Sequence, residues 1–197
     1  MLKVALTGGI GCGKSEVSTF FSNWGAYIFD ADAIAKNILS ENKTAQKELI
    51  SEFGSDITSI KGGIDRKKLS RIAFQNEHNQ LKLNTIIHPF VFQEIDLCFD
   101  RVSKKRKHGI FVVDAALIYE SGADTHMDYV IVITSHLKIR TERVMSRGDL
   151  SRDEFLKRVE LQWPEKDKID MADFIILNNG SKDALEQEAK KIYNQLK

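Results

Sequence analysis

The run Gly8-Gly9-Ile10-Gly11-Cys12-Gly13-Lys14-Ser15 fits the pattern G-x-x-x-x-G-K-[S/T] at every fixed position. Residues of these types at this spacing suit the holding of a nucleoside polyphosphate. Glycines let backbone N–H groups turn inward around an anion, and a following helix adds its own unpaired N–H groups and the positive end of its dipole. Lys14 then reaches the β- and γ-phosphates, and the Ser15 hydroxyl suits a magnesium ion. The motif follows an apolar run, Lys3–Thr7, and precedes a segment with apolar Val17, Phe20, Phe21 and Trp24, which is the strand–loop–helix context it needs. The chemistry to expect is phosphoryl transfer from ATP with Mg2+.

Three acids could complete such a site. Asp114 ends the apolar run Ile110–Val113, the shape of a strand that brings a carboxylate to magnesium, although an acid there could equally cap a helix. Asp30 and Asp32 follow a second apolar run. Either could accept the proton of an attacking hydroxyl, and Asp32 could instead cap a helix beginning at Ala33. Arg140, Arg143, Arg147, Arg152 and Arg158 form a further set. Two or three of them are expected to reach phosphate with forked hydrogen bonds, the rest being solvated helix surface.

Positioning these groups requires a sheet. Lys3–Thr7, Tyr27–Asp30, Ile110–Asp114, Tyr129–Thr134 and Phe174–Asn178 are short, rich in Val, Ile or Phe, and lack polar alternation. That pattern predicts five parallel strands covered on both faces. Helical segments between them complete an α/β fold of P-loop type with flanking helices. The core is expected over about 1–31, 108–136 and 172–197. A helical substrate-binding insertion is expected over about 32–107, with helices at Thr44–Phe53 and Arg66–Phe74 and a hairpin or loop at Lys61-Gly62-Gly63. The charged segment at about 137–171 reads as a lid.

Composition narrows the class. The 197 residues carry a net charge of +1, so no whole-protein field draws the chain to nucleic acid or to an anionic membrane. No apolar stretch is long enough for a membrane span, and the N-terminus does not read as a signal peptide. Two cysteines, Cys12 and Cys98, make a disulfide framework or a four-ligand zinc site a poor fit and favour a reducing cytoplasm. The basic run Lys104–His108 reads as a solvated helix end, and His126 and His136 as surface residues. Cys12, at a helix N-terminus inside an anion-binding loop, is expected to have a lowered thiol pKa.

Over essentially the whole chain, the residues resemble the dephospho-coenzyme A kinase family. The resemblance rests on the ordered segments Ala5–Ser15, Asp30-Ala31-Asp32, Gly63–Leu69, His88-Pro89, Asp114–Glu120, Gln162–Lys166 and Ala172–Gly180. It implies transfer of the ATP γ-phosphate to the ribose 3′-hydroxyl of dephospho-coenzyme A. It also implies roles for named residues. Asp32 becomes the base ahead of Asp30, and Arg66 and His88 take the substrate side. Arg140 and Arg147 serve the phosphates with Lys14. The nucleotide is held by Gly8, Gly11, Cys12, Gly13, Lys14, Ser15 and Glu16, with Asn178 near adenine, and the metal by Ser15 and Asp114.

Three positions depart from the family pattern: Glu16 for Thr, Lys36 for Arg or His, and Ala116 for Pro. A carboxylate at Glu16 would repel phosphate unless it turns outward. Lys36 cannot supply bidentate recognition, and Ala116 leaves its loop looser. Two other readings stand beside this one: another nucleotide or small-molecule kinase, and a nucleotide-switched binding protein. The second lacks an N-K-x-D segment, since Asn42-Lys43-Thr44-Ala45 has no Asp.

Overall fold

A computed structural model describes every residue except Lys61 and Asp149. The described residues divide into two compact units, Met1–Asp30 with Leu97–Lys197, and Ala31–Asp96.

The first unit is built on a five-stranded sheet of β1 (Leu2–Gly8), β2 (Tyr27–Asp30), β3 (Ile110–Asp114), β4 (Tyr129–Thr134) and β5 (Phe174–Leu177). The order is β2-β3-β1-β4-β5 and every pair is parallel. Parallel strands must be covered on both faces, which is why β3 is buried at all five positions and β1 at its last five. Against one face lie α1 (Lys14–Asn23) and the last helix, whose Val17, Phe20, Phe21, Leu185, Ala189, Ile192 and Tyr193 join Val4, Leu6, Val112, Ile131 and Ile133 in one core. Each fully buried Val, Leu, Ile or Phe among them contributes roughly 1.5–3 kcal/mol. Beyond the other face Phe99 meets Phe111 edge-on, and Tyr27 stacks on Phe111.

The strands expected from sequence all form, with ends shifted by at most one residue. The register does the positioning. Leu6 pairs with Asp114, Asp30 pairs with Asp114, and Gly8 with Ile133, so the carboxyl ends of β1, β2 and β3 converge. Ligands collect at that edge of a parallel sheet.

The second unit is helical: α2 (Ala31–Glu41), α3 (Lys43–Phe53), α4 (Arg66–Ala73) and most of α5 (Glu77–Lys104). Asn42 caps α3 through the N–H groups of Thr44 and Ala45, and Asp65 caps α4 through those of Lys67 and Lys68. The expected turn near residues 61–63 is closed by a single antiparallel bridge, Thr58 to Ile64, with its Lys61 outside the described residues.

The charged segment at 137–171 is largely helical among the described residues. The short helix α6 (Ile118–Ser121) precedes it, and α7 (Leu137–Arg147), α8 (Arg152–Glu160) and α9 (Glu165–Asp170) lie within it. A capping box starts α8: Ser151 Oγ accepts from the Glu154 N–H, and the Glu154 carboxylate accepts from the Ser151 N–H. All of this segment belongs to the sheet unit. The chain ends with α10 (Lys182–Gln195).

Candidate active site

β1 runs at the centre of the sheet and ends at Gly8, from which the loop turns back over the strand ends. Gly13 takes φ 100°, and a Cβ built on it would lie 2.2 Å from Asn178 Nδ2, so only glycine fits. Gly13 is also the residue before α1, and no side chain caps that helix. A helix start without a side-chain cap is what an anion site requires.

Inside the loop, Lys14 Nζ lies 2.5 Å from Asp114 Oδ1 at the end of β3, with side chains only 15% and 10% exposed. Ser18 Oγ donates to the other oxygen of Asp114. Asp114 therefore does not cap a helix: Leu117 stands before α6, and the carboxylate is turned to the loop lysine. Ser15, the second residue of α1, is exposed. Ala116, where a looser loop was expected, has its carbonyl held by Thr7 Oγ1 at 3.3 Å, and the Ala115 N–H donates to the Leu6 carbonyl.

The outer side of the loop is braced by side chains from the C-terminal third of the chain. Arg140 Nε donates to the Ile10 carbonyl at 2.9 Å and Arg140 NH1 to Glu165 Oε2 at 3.0 Å. Its guanidinium lies against Gly9, where a Cβ would come within 2.4 Å of NH2. Ile10 N–H donates to Gln162 Oε1 at 3.2 Å, and Glu165 also accepts from Thr134 Oγ1. Arg143 reaches the carbonyl of Asn178 at 3.2 Å and its side-chain oxygen at 3.1 Å, while Asn178 Nδ2 donates to the Cys12 carbonyl at 2.8 Å. The loop's carbonyls at Ile10 and Cys12 and the Ile10 N–H are thus held from outside. Arg140 was expected on the phosphates, yet it is 3% exposed and in this arrangement holds the loop itself.

Cys12 corrects the sequence expectation. Its thiol is 1% exposed, and burial pushes its pKa above 9.0, outweighing the nearby positive charge of Lys14. Glu16 does turn outward: its carboxylate pairs with Lys182 Nζ at 2.7 Å, and that pairing raises the Lys182 pKa. Beside this pair lies an open cleft of about 310 Å³ lined by Gly13, Arg143, Arg147, Asn178 and Gly180. Arg147, exposed on the last turn of α7, stands at its edge.

Of the acids after β2, Asp30 ends the strand and is exposed, in register with Asp114. Asp32 lies in the first turn of α2, which begins at Ala31, so it does not cap a helix starting at Ala33. An acid in the first turn still complements the helix dipole. In the helical unit, Arg66 is the first residue of α4 and exposed, and the His88 ring lies 6.0 Å from that of Phe92, one turn along α5. The described residues thus bring together Gly8, Gly11, Cys12, Gly13, Lys14, Ser15, Glu16, Asp114, Arg140, Arg147 and Asn178 in the sheet unit, and Asp32, Arg66 and His88 belong to the helical one.

Sequence reasoning gave no role to Ser18, Glu165 or Gln162. Ser18 was within reach, because it lies one turn beyond Lys14 on the same face of α1. The braces from Gln162 and Glu165 leave no trace in local spacing.

The comparisons agree with this geometry. A family model described as dephospho-CoA kinase (CoaE) matches residues 2–184. Dephospho-CoA kinase of Fusobacterium nucleatum is 38% identical over 189 residues, 96% of this chain and 94% of the relative. That of Aquifex aeolicus is 34% identical over 196 residues, 100% and 98% of the two chains. Among solved structures, dephospho-CoA kinase from Campylobacter jejuni has a TM-score of 0.70 at 31% identity, covering 98% of this chain and 96% of the other. Shikimate kinase from Bacteroides thetaiotaomicron, with a TM-score of 0.56 at 13% identity over 99% and 98% of the chains, shares the fold alone. With a glycine loop whose lysine meets the acid of β3, and with relatives matched along nearly their whole length, the chain belongs to the dephospho-CoA kinase family.

Proposed function

We propose that this chain transfers the γ-phosphate of ATP to the ribose 3′-hydroxyl of dephospho-coenzyme A, giving coenzyme A and ADP. The observation that carries the reading is the Lys14–Asp114 contact at the mouth of a loop whose adjoining helix has no side-chain cap. A bare helix N-terminus with a lysine beside it favours a polyphosphate over other anions.

In this reading Lys14 leaves Asp114 for the β- and γ-phosphates, while the loop N–H groups hold the chain of phosphates. Asp32 accepts the 3′-hydroxyl proton as the oxygen bonds to the γ-phosphorus, and the bond to the bridging oxygen breaks so that ADP departs with it. Arg147 meets phosphate from the cleft edge, and Arg140 contributes its charge and keeps the loop in shape. Asn178 is assigned to the adenine side, and Arg66 and His88 to the acceptor.

Magnesium fits the donor set. Ser15 is exposed, and Asp114 keeps one oxygen on Ser18 while the other is released by Lys14. Magnesium held by one or two protein oxygens takes its remaining ligands from phosphate and water. When bound, it neutralises charge on the transferring group. Cytoplasmic residence belongs to the same reading and is supported by two cysteines kept as thiols.

The test is ADP release with ATP and magnesium in the presence of dephospho-coenzyme A, AMP, pantetheine phosphate or no acceptor. Turnover with dephospho-coenzyme A alone is expected. Preference for AMP or pantetheine phosphate would defeat the acceptor assignment and leave the phosphate site standing.

A further inference from the structure

Two residues outside the loop and the strand ends form a deeply buried ion pair. Lys168 Nζ in α9 lies 2.6 Å from Glu120 Oε1 in α6, with side chains 2% and 8% exposed. The same oxygen accepts the Trp163 N–H at 2.9 Å, and the Trp163 ring stacks on Tyr119 with centroids 6.3 Å apart. Glu120 thus fixes both ends of the turn at 163–168.

That turn carries the braces of the phosphate loop. Gln162, next to Trp163, accepts the Ile10 N–H, and Glu165 holds the Arg140 guanidinium whose Nε donates to the Ile10 carbonyl. The Ile10 N–H is therefore held from this turn directly and the Ile10 carbonyl through Arg140, and the turn is tied to Glu120. A cavity of about 140 Å³ lies here, walled by the apolar Val132, Leu137, Val159 and Pro164 as well as by Arg140 and Glu165, among others, and the hydrogen bonds to Ile10 cross beside it. A buried charge held by one partner and one backbone N–H is a rigid anchor, because any displacement strands a charge away from water.

We infer that Glu120 and Lys168 are positioning residues, a buried pair that fixes the loop's phosphate-binding geometry through Gln162, Glu165 and Arg140. The inference rests on the reading of that loop as the ATP site. A pair needed only for stability would leave the affinity of the folded protein unchanged, since losing folded molecules lowers the number of sites and not their strength.

The experiment is direct equilibrium binding of ATP with magnesium to the full chain, for the wild type, Glu120→Gln, Lys168→Met and the double variant. The double variant leaves no buried charge unpaired, and such neutral replacements keep or raise stability, so it remains folded where a single variant fails. Each folded variant is expected to bind ATP about tenfold more weakly while binding dephospho-coenzyme A within about twofold of wild type. Wild-type affinity for ATP in the folded double variant would overturn the inference, as would equal weakening toward both ligands. Absence of ATP binding by the wild type itself would overturn the reading beneath it, and that failure is visible before any variant is made.

Discussion

Replacing Lys14 by Met separates what the Lys14–Asp114 contact does for the empty protein from what Lys14 does for the reaction. The pair lies at 2.5 Å with both side chains largely buried. Removing one partner of a buried pair costs about 3–5 kcal/mol, because the other charge is left in a poor solvent. Asp114 keeps its bond from Ser18 and some contact with water, which sets the expectation at the lower end, about 3 kcal/mol. With a urea slope of about 2 kcal/mol/M, the unfolding midpoint in the absence of nucleotide should fall by about 1.5 M. Adding Asp114→Asn to Lys14→Met removes the stranded charge and should restore most of that loss. Turnover behaves differently. The lysine is lost in both variants, so kcat should fall by about a thousandfold or more in each, about 4 kcal/mol of transition-state stabilisation. Urea unfolding without ATP and ADP release with it are the two assays. An unchanged midpoint for Lys14→Met would show that the pair does not form in solution. Turnover within tenfold of wild type would refute the role given to the loop.

Two further outcomes are expected. Asp32→Asn should lower kcat by about a hundredfold or more and leave ATP affinity within about twofold, as befits a proton acceptor; collapse of ATP affinity with it would assign Asp32 to the metal or to the fold. Lys182→Ala should weaken ATP binding by a few-fold, because Glu16 then loses the partner that draws its charge away from the phosphates. Glu16→Thr should remove that penalty, and equal ATP affinity in all three proteins would show that the exposed pair is idle.

The glycine loop was legible because its chemistry is carried by the backbone of eight contiguous residues, and the strands because burial on both faces leaves unbroken apolar runs. Asp114 was legible as an acid ending such a run, though its alternative as a helix cap fell only when Leu117 was found before α6. Arg140 was assigned to the phosphates by the family resemblance. Its partners within the protein, Ile10 and Glu165, lie on segments that spacing cannot connect to it. Cys12 shows two effects in competition. Position at a helix start argues for a lowered pKa, and desolvation, which only the packed structure reveals, wins.

The sequence by itself determined the strand–loop–helix that receives phosphate, the parallel sheet, and the family to which the chain belongs, all of which are written in local runs of residues. The tertiary structure alone decided how the loop is held. Glu120 with Lys168, Gln162 with Ile10, and Ser18 with Asp114 are joined by the convergence of strand ends and by the exclusion of water, which make distant polar groups each other's only solvent.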